Sequence, residues 1–165
     1  MDRIYAPWRS EYFEKDLCEC VFCQISANPK DDEQNFVFYR DTHCFGVMNL
    51  YPYTPAHLLF VPHCHLDSPE KIPLETWLHL HRLSQLATPM LYEFGAQGIN
   101  IGINIKKAGG AGIPEHLHLH LVPRYNGDTN FITSIADSRI YGVDFGAIYH
   151  KIKALASHHL TKEIR

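Results

Sequence analysis

His116, His118 and His120 alternate with Leu117, Leu119 and Leu121 in the stretch Glu115-His116-Leu117-His118-Leu119-His120-Leu121-Val122-Pro123-Arg124. Imidazole moves protons near neutral pH and ligates transition metals. Three of them at alternate positions of an extended chain share one face and can act on a single ligand. The plain alternative is a solvated strand face. Immediately upstream stands Gly109-Gly110-Ala111-Gly112, followed by Ile113-Pro114. Glycines let backbone N–H groups approach a ligand, and a row of such amides suits an anion, most simply a phosphate. On its own, such a loop is an ordinary turn between strands. The third chemical signal is Cys20-Val21-Phe22-Cys23, two thiols spaced to hold one tetrahedral ion that would need two more N or S ligands. The competing reading is a chance pair of buried thiols.

These groups need elements to hold them. On a strand over Glu115–Arg124 the leucines point into a core and the histidines line the other face. Phe36-Val37-Phe38-Tyr39 and Cys44-Phe45-Gly46-Val47-Met48 read as two strands around a hairpin turn, Arg40-Asp41-Thr42-His43. His57-Leu58-Leu59-Phe60-Val61-Pro62 reads as a buried strand. Leu74 to Phe94 carries Leu74, Trp77, Leu78, Leu80, His81, Leu83, Leu86 and Ala87 at helical spacing, with Pro89 late in the run and Gly95 and Gly98 ending it. Ile99, Ile101, Ile103 and Ile105 alternate on another strand. Asp144 to His159 reads as a terminal helix with Phe145, Ile148, Tyr149, Ile152 and Leu155 on one stripe. Hairpin-joined strands with separate helices predict an α+β fold, a mostly antiparallel sheet of about five strands with one long central helix and a C-terminal helix.

A chain of 165 residues fits one domain. It divides into an N-terminal arm (1–35) holding the cysteine pair and the aromatic cluster Trp8, Arg9, Tyr12 and Phe13, a catalytic core (36–134), and a C-terminal helical segment (135–165). The net charge of −3 argues against a general nucleic-acid coat, and no apolar run is long enough to span a bilayer. Met1-Asp2-Arg3-Ile4-Tyr5 has no apolar segment of the kind that directs export. Five cysteines, an odd number, then point to thiols in a reducing compartment, the cytoplasm by default.

His-Leu-His-Leu-His-Leu-Val, with Pro123-Arg124 and Gly127-Asp128-Thr129-Asn130-Phe131, resembles the signature of the histidine triad (HIT) family of nucleotidyl hydrolases and transferases. It is similar above all to the branch of bacterial diadenosine tetraphosphate phosphorylases and dinucleoside polyphosphate hydrolases. The likeness runs from Ala6-Pro7-Trp8-Arg9 to about Ser134. It implies a homodimer whose sheets join edge to edge. It also implies that His118 attacks the α-phosphorus of a nucleotide to give a covalent nucleotidyl-histidine, resolved by water or orthophosphate. A backbone carbonyl accepting the other ring N–H would fix the His118 tautomer. His120 would donate a proton to the leaving phosphate or bind a non-bridging oxygen. Asn49 matches a position facing the ribose hydroxyls, and His57, preceded here by Ala56 rather than glycine, would support the triad from beneath. Relatives often carry Gln or Ser in the glycine loop; this chain leaves phosphate contacts to the amides of Gly110, Ala111 and Gly112, or to Lys106, Lys107 and Arg124, which read equally as surface charges. The resemblance further implies a structural Zn2+ on Cys20, Cys23, His65 and His116, with His63 and Cys18 as competing ligands. Glu115 has no assigned role.

The reading is thus an enzyme cleaving a dinucleoside polyphosphate such as diadenosine tetraphosphate, with orthophosphate as the expected acceptor. Its alternatives are an adenylyl (AMP-X) hydrolase of the same family, a metal-dependent hydrolase with all three histidines on one catalytic ion, and a zinc-stapled nucleotide-binding protein without turnover.

Overall fold

The computed structural model describes residues 20–130, 133, 135 and 142–161. The arm residues Trp8, Arg9, Tyr12, Phe13 and Cys18, and Phe131 and Ser134 of the downstream motif, lie outside them. The apolar runs become five strands: β1 (Val37–Arg40), β2 (Cys44–Met48), β3 (Leu58–Pro62), β4 (Gly98–Ile103) and β5 (Leu119–Arg124). They form one sheet in the order β1-β2-β3-β5-β4, and every neighbouring pair is antiparallel. Among the described residues three α-helices accompany it: α1 (Val21–Ala27), α2 (Leu74–Phe94) and α3 (Phe145–His159). The α+β expectation of a five-stranded antiparallel sheet with a long and a C-terminal helix holds.

Strand alternation sorts side chains between two layers. Cys44 and Met48 of β2, Leu58 and Phe60 of β3, and Leu119 and Leu121 of β5 meet Leu80, Leu83, Ala87, Met90 and Leu91 of α2 and Ile148, Tyr149 and Ile152 of α3. The alternate residues Phe45, Val47, Leu59 and Val61 meet Phe22 and Ile25 of α1. Because both faces are covered, β2 and β3 are buried at every residue and read as continuous apolar runs. Gly46 is required in the middle of β2, since a Cβ there would stand 2.6 Å from the Phe38 ring. Helix α1 is tied to the sheet by Arg40, which donates to the carbonyls of Ile25 and Ser26 at its C-terminal end and pairs with Asp32.

The local readings need three adjustments. β5 begins at Leu119, so His116, Leu117 and His118 lead into the strand rather than lie on it. Helix α2 carries Pro89 late in its length and ends at Gly95, whose φ of +128° closes it, in keeping with the sequence reading. Its buried stripe is Thr76, Leu80, Leu83, Ser84, Ala87, Met90 and Leu91, whereas Leu74 and Leu78 are 70% and 59% exposed. Their helical spacing fits a stripe displaced from the one that meets the sheet. On β4, an edge strand, Ile99 and Ile103 pack on the core, but Ile101 is 46% exposed. Ile105 lies beyond the end of the strand.

Candidate active site

β5 puts His120 on the α1 side of the sheet, opposite Leu119 and Leu121. Phe22, between the two cysteines in sequence, packs its ring on both His116 (5.5 Å between centroids) and His118 (5.2 Å). Tyr53 lies parallel to His120 at 6.2 Å. The three histidines are therefore buried, with 0%, 5% and 8% exposure, where alternation alone pointed to an open strand face. Neither aromatic was singled out in the sequence. The signal was present only as Phe22 within the Cys-x-x-Cys and Tyr53 after Tyr51-Pro52.

Each ring's tautomer follows from its fixed partners. His116 donates Nε2–H to the Pro62 carbonyl (2.9 Å), which leaves its Nδ1 lone pair facing the cysteines. His118 donates Nδ1–H to the His116 carbonyl (2.9 Å), so its Nε2 carries the lone pair. His57 accepts at Nδ1 from the Tyr53 amide and the Asn49 side-chain amide, both at 3.2 Å. Its proton must then sit on Nε2 and be donated to His120 Nδ1, 2.9 Å away. His120 in turn holds its proton on Nε2, a buried atom with no partner among the described residues. A polar group left this way ordinarily costs stability unless a ligand satisfies it. The pair of nitrogens presented is complementary: a nucleophilic lone pair on His118 and a donor on His120.

Burial favours the neutral rings that this arrangement needs. It lowers the pKa of His57 to about 3, helped by repulsion from His120 and His118, and that of His120 to about 4, helped by His118. Burial also lowers His118, opposed by its bond to the His116 carbonyl. A neutral imidazole at neutral pH is the nucleophilic form.

Cys20, Cys23, His65 and His116 converge, with one ligand atom from each lying within 4.8 Å of the others. The Sγ–Nδ1 separations are 3.4 Å for Cys20–His116, 3.1 Å for Cys23–His65 and 3.6 Å for Cys23–His116. Tetrahedral Zn–S and Zn–N bonds would set such edges at about 3.5 Å. The donor set and the His116 tautomer thus both fit a zinc ion. Burial and the neighbouring Cys20 push the Cys23 thiol up to about 11, a shift that a bound cation would reverse. His63 is not a competitor, because its Nδ1 meets the Ser26 hydroxyl (2.7 Å) and its Nε2 the Asp41 carbonyl (2.9 Å). A metal shared by all three triad histidines is not supported, since His116 is turned to the cysteines.

Asn49 reaches the triad through His57, while its Oδ1 accepts from the Tyr51 amide (3.0 Å). The expected amide cradle needs correction: Gly110 N–H donates to the Lys107 carbonyl and Ala111 N–H to that of Lys106, closing a turn. Gly110 takes φ +92°, which glycine permits. Arg124 is spent on Asp128, through both Nε and Nη2, and on Asn100. Lys106 sits 3.9 Å from Asp67. Glu115 acts on the neighbouring His116 through its charge, opposing the effect of burial on that ring.

A family model described as "HIT domain" matches residues 30–127. The chain is 36% identical over 153 residues to the AP-4-A phosphorylase of Mycobacterium tuberculosis (strain ATCC 25618 / H37Rv), covering 85% of this chain and 76% of that protein. It is 30% identical over 91 residues to a bis(5'-adenosyl)-triphosphatase of Saccharomyces cerevisiae (strain YJM789), covering 54% of this chain and 44% of that protein. Among solved structures, a Zn-bound histidine triad family protein from Mycobacterium smegmatis aligns with a TM-score of 0.70 at 29% identity, covering 85% of this chain and 94% of that one. A buried, neutral imidazole pair beside a Cys-Cys-His-His cluster therefore stands in a chain that belongs to the HIT-domain family.

Proposed function

We propose that this HIT-family enzyme, acting as one unit over residues 1–165, cleaves a dinucleoside polyphosphate such as diadenosine tetraphosphate. His118 Nε2 attacks the α-phosphorus, a P–N bond forms, and the bridging P–O bond breaks. His120 donates a hydrogen bond from Nε2–H to the departing phosphate oxygen, which leaves as an anion, and His120 keeps its proton. Orthophosphate then attacks the phosphorus from the opened side and releases ADP, and the His118 lone pair returns. The His116 carbonyl stabilises the positive charge that His118 acquires, and His57 holds His120 in its donor tautomer. Asn49 serves the ribose hydroxyls in this scheme as well as His57. The glycine loop shapes the phosphate side, without amide contacts from Gly110 or Ala111. The observation that carries the reading is the buried, unpartnered Nε2 of His120 beside the correctly protonated His118.

Cys20, Cys23, His65 and His116 would hold a structural Zn2+, which supplies a cross-link and no open coordination position. It would anchor α1 and Phe22 against the triad. The exposed edge of β4 supports a homodimer joined edge to edge. No helix among the described residues is long and apolar enough to cross a membrane; the cytoplasm is the proposed compartment.

The test is product analysis from diadenosine tetraphosphate with and without orthophosphate. ADP plus ATP formed only with phosphate supports phosphorolysis. AMP plus ATP in both conditions moves the reading to hydrolysis. A radiolabelled nucleotide that remains on the denatured protein, and is absent from His118→Ala, supports the covalent step; its absence from the wild type overturns it.

A further inference from the structure

A cleft of about 710 Å3 opens between the β1–β2 turn and the first turns of α2, lined by Asp41, His43, Glu75, Leu78, His79 and Arg82 together with Thr42. No triad residue or zinc-cluster residue borders it. Two imidazoles from different elements meet there, their ring centroids 4.9 Å apart. His43 Nδ1 meets the Thr76 hydroxyl at 3.4 Å, and its Nε2 points to Glu75 Oε1 at 3.8 Å. With the proton on Nδ1, the Nε2 lone pair faces that carboxylate. His79 Nε2 lies 2.5 Å from Asp41 Oδ2.

Asp41 itself is saturated. Its Oδ1 accepts the amides of His43 (2.8 Å) and Cys44 (2.9 Å), and its Oδ2 accepts the Tyr39 hydroxyl (2.6 Å) as well as His79. Cys44 is fully buried. These two residues form a platform rather than a ligand pair. A carboxylate fixed in this way, accepting one N–H of an imidazole, is the usual support behind a metal-binding histidine, because it leaves the other nitrogen's lone pair exposed.

From this we infer a second cation site on the cleft, in which His43, His79 and Glu75 ligate a first-row divalent ion such as Zn2+ and Asp41 orients His79. Two imidazoles and a carboxylate suit Zn2+ or Co2+ better than Mg2+ or Ca2+, which favour all-oxygen ligand sets. Glu75 is 84% exposed in its side chain and can swing onto the ion. The two carboxylates outweigh Arg82 in formal charge and favour a cation. Bound there, the ion would clip the β1–β2 turn to the start of α2.

The test is calorimetric titration of the metal-stripped chain with ZnCl2, repeated with CoCl2 and followed by absorbance. The wild type is expected to take two equivalents. One shows the thiolate charge-transfer absorption of the cysteine cluster; the other lacks it. His43→Gln and Glu75→Gln, both at partly exposed positions, should each weaken the thiolate-free equivalent at least tenfold and leave the other unchanged. Cys23→Ser should do the reverse. Asp41→Asn should weaken the same equivalent by about 10–100-fold, the usual effect of losing a carboxylate behind a ligating histidine. Binding of one equivalent only, or a second equivalent indifferent to a combined His43→Gln/His79→Gln/Glu75→Gln change, overturns the inference.

Discussion

Replacing His57 by leucine isolates the tautomer chain from the chemistry it serves. His57 is fully buried and never faces the cleavage point. Leucine of similar bulk keeps the packing but removes the acceptor for the Tyr53 amide, the acceptor for Asn49 and the donor to His120. Asn49 is only partly buried and can turn to water, and His120 can move its own proton to Nδ1. The Tyr53 amide is left as the main stranded group, at a cost of about 1–3 kcal/mol. For a chain of this length that lowers the Tm by about 5 °C. The functional loss is larger, because a His120 with its proton on Nδ1 offers a lone pair, not a donor, to the leaving phosphate. Loss of one such donor costs about 10²-fold in rate. The expected result is kcat for diadenosine tetraphosphate cleavage down about 10²-fold, with KM little changed. The covalent adduct should still form, but slowly. A folded His57→Leu enzyme with kcat within about threefold of wild type, well short of the loss expected for a missing donor, would refute the relay.

Three further expectations follow from the same geometry. His57 and His120 have folded pKa values below the ordinary histidine value, so the unfolded chain binds protons first on acidification. The stability they contribute is complete above about pH 6.5 and falls by about 1.4 kcal/mol per pH unit for each ring as pH drops toward their folded values of about 3 and 4; urea midpoints at pH 7 and pH 5 should show this, with a smaller difference in His57→Leu. Gly46→Ala places a Cβ 2.6 Å from Phe38 and 3.0 Å from Phe60, and should cost about 1–3 kcal/mol in denaturant unfolding; a neutral result would mean that the Phe38 ring yields freely. Chelation, or Cys23→Ser, should lower the Tm by about 10 °C, the effect of losing a ligand held near a thousand times its Kd; scanning calorimetry with and without chelator decides it, and no change would remove zinc from the fold.

The sequence by itself singled out the candidate residues and showed roughly where the elements run. Alternation of histidine with leucine assigned Leu119 and Leu121 to the core and the imidazoles to the other face. Apolar runs located the central strands, and the Cys-x-x-Cys marked a candidate metal half-site. Period, however, reports only a face, and burial of that face depends on what lies over it. Phe22 and Tyr53 come from segments far from residue 118 in sequence, so no local pattern could reveal that the histidines are enclosed. The same holds for protonation. For His116 and His120 the nitrogen that bears the proton is dictated by the Pro62 carbonyl and the His57 ring, 54 and 63 residues away in sequence, and only tertiary structure supplies those partners. The glycine loop makes the converse point: its composition permits an amide cradle, but two of its amides close their own turn, because a backbone donor takes the nearest well-placed carbonyl.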